Sequence, residues 1–166
     1  MGFYSKMVPD GTYCINGYEG KASHIEFPKN IVITILHDDL FKGHTEIESV
    51  NIPESVTEIG GFVFDGCTGL KTLNLPPNLQ SMWQYALTRT AIEEIEIPGS
   101  LRSIVPFTFY RSNLLRKVII NEGTENISAW AFKDCTSLTD VYLPPSLTEI
   151  SDKAFEGCGK ITFHRK

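Results

Sequence analysis

Ser128-Ala129-Trp130-Ala131-Phe132-Lys133-Asp134-Cys135 runs directly into Thr136-Ser137-Leu138-Thr139-Asp140-Val141-Tyr142-Leu143-Pro144. The second piece alternates, with Val141 and Leu143 to one side and Asp140 and Tyr142 to the other, as in a half-buried strand. Pro144 ends it, because proline fixes φ and offers no amide hydrogen. The first piece is too short for a free-standing helix and is expected to form one helical turn held by packing. The small Ala131 before Phe132 would let that turn lie close against a neighbour.

The same pattern recurs along the chain. Phe41, Phe64, Leu87, Phe109, Phe132 and Phe155 follow one another at spacings of 23, 23, 22, 23 and 23. Three residues later stand His44, Cys67, Thr90, Ser112, Cys135 and Cys158. One residue earlier stand Leu40, Val63, Ala86, Thr108, Ala131 and Ala154, mostly small. A further column, Ile52, Leu75, Ile97, Ile120 and Leu143, precedes Pro53, Pro76, Pro98, Asn121 and Pro144. Columns that keep one register in this way define a solenoid. Its coils, stacked about 4.8 Å apart, would pair their strands in parallel and bury one continuous core. The expected fold class is α/β: a short horseshoe with a parallel concave sheet, short convex strands and single helical turns.

The motif L-x-x-L-x-L of leucine-rich repeats is present as Leu70-Leu73-Leu75, Ile92-Ile95-Ile97, Leu115-Val118-Ile120 and Leu138-Val141-Leu143. With a proline after the strand and Ala-Phe-x-x-Cys on the convex side, the chain resembles the BspA-like subclass of bacterial leucine-rich repeats. The resemblance covers about residues 11 to 163. It implies a single leucine-rich-repeat domain over 1–166, with cap and first strand in 1–27, repeats in 28–163 and no evident C-terminal cap. The segment Gly11 to Gly20 resembles the family's amino-terminal cap, and Asn16-Gly17 between two β-prone pieces signals a hairpin on its own.

Three departures stand out. Between Pro28 and Leu36 the first coil carries two extra residues, and the unit around Leu87 and Thr90 is one residue short. The sequence ends at Lys166, just after Ile161-Thr162-Phe163 opens another strand. Such an uncapped edge is a candidate for self-association.

Composition narrows the function. Among 166 residues, 15 Lys and Arg against 20 Asp and Glu give a net charge of -5. That balance disfavours nucleic acid, whose binding depends on basic side chains displacing phosphate counterions. No run approaches the roughly 20 apolar residues of a membrane span, so no membrane insertion is expected. The first ten residues lack the apolar segment of a secretory signal. The repeated placing of Cys67, Cys135 and Cys158 reads as a packing position for buried, reduced thiols, although adjacent coils bring Cys135 and Cys158 within bridging range.

No catalytic motif is visible. His44 occupies the Cys67 column, no His or Cys pair has zinc spacing, and neither a nucleophile elbow nor a phosphate loop is present. Asn126-Ile127-Ser128 fits a glycosylation sequon, a pattern too short to carry weight. The expectation is a non-enzymatic chain with no cofactor and no metal.

The informative surface is the concave sheet, where alternate side chains point outward. These are His24 and Glu26, Ser49 and Asn51, Thr72 and Asn74, then Glu94 and Glu96, Lys117 and Ile119, Asp140 and Tyr142. The later set combines an alternating charge ladder of Glu94, Lys117 and Asp140 with an apolar pair, Ile119 and Tyr142. A partner docking there is expected to anchor on Ile119 and Tyr142, with Glu94, Glu96, Lys117 and Asp140 as its charged rim. Glu94 and Glu96 have roughly the separation of a glycosidase carboxylate pair, but an open sheet cannot enclose a sugar. Trp83 and Trp130 are assigned to the convex column of Phe62 and Phe107, as groove fillers rather than a ligand platform.

The resemblance implies a bacterial cell-surface or secreted module for adhesion to, or recognition of, a host or bacterial surface protein. The alternatives are a structural spacer or assembly module without a dedicated ligand and, more distantly, carbohydrate binding.

Overall fold

Residues 2–165 are described by a computed structural model. β1 (Gly2–Met7) and β2 (Tyr13–Glu19) form an antiparallel cap. Successive coils then each supply a concave strand and a short lateral strand: β3 (His24–Glu26) with β4 (Ile33–Leu36), β5 (Ser49–Asn51) with β6 (Glu58–Ile59), and β7 (Thr72–Leu73) with β8 (Ser81–Met82). β9 (Glu94–Ile97) with β10 (Ser103–Ile104), β11 (Lys117–Ile120) with β12 (Asn126–Ile127), and β13 (Asp140–Leu143) with β14 (Glu149–Ile150) continue the series to β15 (Thr162–Arg165). Pairing between coils is parallel throughout, as the alternating pattern requires.

The hairpin exists, but Asn16-Gly17 is not its turn. The chain reverses between Val8 and Thr12, where Val8 N–H donates to Thr12 O at 2.9 Å and the Asp10 carboxylate accepts from Thr12 N–H at 2.9 Å. Asn16 and Gly17 lie inside β2, at a bulge: Tyr4 pairs with Gly17 and Ser5 with Ile15, leaving Asn16 unopposed. An extra residue in one strand is accommodated this way, with added local twist.

The convex segments are not helical, and the described residues contain no helix. Their amide groups divide between two kinds of partner. Phe62, Phe64 and Gly66 donate to the next coil, at Gln84 O, Ala86 O and Thr88 O, over 3.1, 2.9 and 3.0 Å. Between them Asp65 and Cys67 close tight turns onto Phe62 O and Phe64 O. A helix would send all of these amides along its own axis. The left-handed conformation of Phe62, Tyr85, Phe107 and Trp130, with φ between 60° and 65°, redirects them. A second left-handed position follows at Gly66, Arg89, Arg111, Asp134 and Gly157. For residues other than glycine this costs about 1–2 kcal/mol each, which the hydrogen bonds between coils offset.

One core runs the length of the molecule, with Phe41, Phe64, Leu87, Phe109 and Phe132 fully buried and Phe155 partly so. The rings of Phe109, Phe132 and Phe155 stack at 4.8 and 5.1 Å. The column three residues later does more than pack. Cys67, Cys135 and Cys158 donate from Sγ to the carbonyls of Phe41, Phe109 and Phe132 at 3.0–3.1 Å, and Ser112 Oγ donates to Leu87 O at 2.7 Å. All four cysteines are free; Cys14, Cys67 and Cys135 are buried, whereas Cys158 is only half-buried.

The short coil divides both sheets. The concave strands form a three-stranded sheet, β3-β5-β7, and a four-stranded one, β9-β11-β13-β15; the lateral strands part between β8 and β10. Leu87 to Glu94 is one residue shorter than Phe64 to Thr72 or Phe109 to Lys117. At β7 and β11 the two amides entering the concave strand share one carbonyl of the preceding coil, Lys71 and Thr72 on Glu48 O and Arg116 and Lys117 on Glu93 O. At the short coil Ala91 N–H instead reaches Leu70 O at 2.9 Å. The halves stay joined at the convex turns, where Tyr85 and Leu87 donate to Phe107 O and Thr108 O.

Candidate functional site

The four-stranded concave sheet sets its outward side chains in two rows. Glu94, Lys117, Asp140 and Thr162 are opposed across β9, β11, β13 and β15; Glu96, Ile119 and Tyr142 form the second row, which His164 extends. Ile95, Val118 and Val141 point inward and are buried. Glu94 and Glu96 are exposed, whereas Lys117, Ile119, Asp140 and Tyr142 are half-buried.

The charges do not pair along their row. Lys117 Nζ stands 5.4 Å from the Tyr142 ring centre, a cation–aromatic contact. Glu94 is taken by Arg116, which also reaches Glu93 at 3.6 Å. Glu96 accepts from Asn121 Nδ2 at 2.9 Å. Asp140 bonds His164 Nε2 at 2.9 Å and accepts from Thr139 Oγ1 at 2.8 Å. The His164 bond, then Thr139, holds the Asp140 carboxyl below its ordinary range, against a smaller opposing effect of desolvation.

Tyr142 is flanked as a result. His164 stacks on its ring at 4.2 Å and 12°, while Lys117 approaches from the neighbouring strand. Lys117, Tyr142, His164 and Asp140 form one connected cluster beside the aliphatic Ile119. Sequence reasoning missed His164, Arg116 and Asn121. His164 stands in the Tyr142 column one strand further on, so extending that column would have found it. Arg116 and Asn121 flank β11, outside the alternating positions. Where the concave sheets part, a hollow of about 210 Å³ opens beside Glu96, bordered by Asn74, Leu75, Pro77 and Asn121.

The convex aromatic row consists of Phe62, Tyr85, Phe107 and Trp130, stacked at 4.6, 5.2 and 5.6 Å. Trp83 is not a member: Tyr85 occupies the position, and Trp83 lies two residues earlier, half-exposed, with Nε1 donating to Glu58 at 3.1 Å. Lys42 and Lys153 cover the ends of the row, over Phe62 and Trp130. The ring faces are thus taken up within the row, which suits structural filling rather than a stacking platform for a sugar. Among the described residues no three His, Cys, Asp or Glu side chains converge as metal ligands, and no helix is long and apolar enough to cross a membrane.

A curved stack of parallel strands carrying L-x-x-L-x-L in successive coils is the architecture of a leucine-rich-repeat protein. The model of the BspA type leucine rich repeat region matches residues 34–162 in 6 copies, and the chain belongs to that family. Members of this class are generally protein-interaction modules. The fold is similar to that of a leucine rich repeat protein from T. pallidum, at 25% identity and TM-score 0.80 over 98% of this chain and 83% of that one. A leucine rich cell surface protein from Faecalibacterium prausnitzii is similar at 21% identity and TM-score 0.66, over 99% of this chain and 53% of that one. The pneumococcal vaccine antigen PcpA is similar at 20% identity and TM-score 0.73, over 99% and 48%. The chain therefore spans about half the length of the latter two. A search of curated proteins finds no match.

Proposed function

We propose that this chain is a non-enzymatic recognition module of a bacterial surface protein, binding a protein partner on the four-stranded part of its concave sheet. The observation that carries this reading is the cluster of Lys117, Tyr142, His164 and Asp140 beside the half-buried Ile119. A tyrosine whose orientation is held by its neighbours loses little entropy on docking, and tyrosine is enriched among residues that dominate interface energy. Glu94 and Glu96 supply a charged rim that orients the partner. Placement at the cell surface is supported by the family and by the similarity to a cell surface protein. The test is a pull-down from host matrix and serum proteins, followed by titration of the recovered partner against Ile119→Ser/Tyr142→Ser. Undiminished affinity in the folded double variant would remove the concave site from the proposal.

A further inference from the structure

A second surface, on the lateral sheet, has the chemistry of a cation-binding notch. Asp38 lies just beyond β4, Glu58 and Gly60-Gly61 lie in or just after β6, and Trp83 and Gln84 follow β8, so three adjacent coils contribute. Asp38, Glu58, Gly61, Phe62, Trp83 and Gln84 border a hollow of about 350 Å³. The glycines let the adjacent coils approach closely beside it. A Cβ on Gly60 would come within 2.6 Å of the Asp38 backbone nitrogen, and one on Gly61 within 3.2 Å of Gln84 O, so a larger residue at 60 would force the coils apart.

The polar groups are only half used. Asp38 Oδ1 accepts Gly61 N–H at 2.9 Å, and Glu58 Oε2 accepts Trp83 Nε1–H at 3.1 Å. The second oxygen of each carboxylate has no hydrogen bond, and neither residue has an ion pair, among the described residues. The Glu58 bond holds the edge of an indole that is 46% exposed. The adjoining Phe62 already carries a cation, Lys42 Nζ at 4.7 Å from its centre. Two carboxylates against that one ammonium leave the notch negative.

We infer that this notch binds an arginine side chain of a basic partner segment. A guanidinium is planar and weakly hydrated, so it stacks on an indole face while its N–H groups reach carboxylates at its edge. A lysine ammonium offers no flat face to stack. The lateral notch and the concave cluster belong to different sheets, so the notch is a docking point independent of the concave site.

The test uses the full chain carrying Trp130→Phe, which leaves Trp83 as the only tryptophan of the two; phenylalanine already serves that column at Phe62 and Phe107. Acetyl-arginine-amide and the acetylated peptide Gly-Arg-Gly-Arg-Gly are titrated while Trp83 emission is followed, with acetyl-citrulline-amide as the uncharged analogue. The expected result is a saturable change with both arginine probes and none with citrulline. Affinity should fall about tenfold or more in Asp38→Asn/Glu58→Gln and weaken as salt rises. Ile119→Ser/Tyr142→Ser should leave it unchanged, which separates this site from the concave one. Should the double variant fail to fold, Glu58→Gln alone reads the same effect. Equal binding of citrulline, unchanged affinity in the carboxylate variants, or no saturable signal would overturn the assignment.

Discussion

The Ser112 hydroxyl donates to the carbonyl oxygen of Leu87 at 2.7 Å, the same bond that Cys135 makes to Phe109 one coil further on. The column occupied by cysteine in three coils therefore asks for a small donor as well as a small volume. Thr90, one member of that column, is buried and its Oγ1 has no partner among the described residues. It stands at the coil that is one residue short.

These two hydroxyls should respond in opposite ways to removal. Ser112→Ala leaves a buried carbonyl unsatisfied and is expected to cost about 1–3 kcal/mol. Thr90→Val removes a hydroxyl that is already unpaired and keeps the volume, so it should be neutral or stabilising by about 1 kcal/mol. Denaturant midpoints of the two variants, at unchanged slope, measure the difference. Equal losses from both would show that the column contributes packing alone.

Thiol reactivity should be ordered. Burial pushes Cys67 up to about 12, and Cys14 and Cys135 are raised as well. Cys158 is half-buried, whereas the other three are buried. Near neutral pH a thiol reagent should label Cys158 first and the other three only after denaturation, since the thiolate is the reactive form. Peptide mapping of the labelled native protein checks this, and a Cys135–Cys158 disulfide in purified protein would contradict it.

Phe109 is fully buried between the coils of Leu87 and Phe132 and stacks on Phe132 at 4.8 Å. Phe109→Ala should cost about 3–5 kcal/mol through lost transfer energy and a residual cavity. The loss should reach both halves of the stack, because nearest-neighbour contacts hold a solenoid together. A thermal melt that overlays the parent protein would place Phe109 outside the core.

Asp140 gives the pH test. Its folded-state value lies below the ordinary 3.8, so the stabilisation it contributes is fully present above that value. It is lost as pH falls through the depressed folded value. His164→Phe keeps a ring against Tyr142 but removes the leading hydrogen bond, so the Asp140 titration should move up toward 3.8. Carboxyl NMR of the two proteins between pH 2 and 6, a range spanning the ordinary carboxylate value, reads the shift. No movement would mean that His164 does not govern Asp140.

On the concave face, Ile119→Ser/Tyr142→Ser should keep the fold, since both side chains point away from the core. It should weaken binding of a recovered partner by about 2 kcal/mol or more. Lys117→Ala should act mainly on the association rate and its salt dependence. Stopped-flow mixing at two ionic strengths, with circular dichroism as the folding control, separates the two effects.

The 23-residue columns were legible without coordinates because solenoid packing repeats locally: Phe64, Phe109 and Phe132 face the core for the same reason in every coil. The inward and outward positions of β9, β11 and β13 followed from alternation alone, since a strand can only place neighbours on opposite faces. Tertiary structure decided the rest. Phe62, Tyr85, Phe107 and Trp130 take left-handed backbone only because a stacked coil stands ready to accept their redirected amides, a partner absent from any single repeat. Lys117 turns to Tyr142 and Asp140 to His164, where the register spacing alone suggested a charge ladder. Side chains on neighbouring strands lie close enough to choose among several partners, and that choice depends on ring stacking and hydrogen-bond directions that a column of letters does not contain.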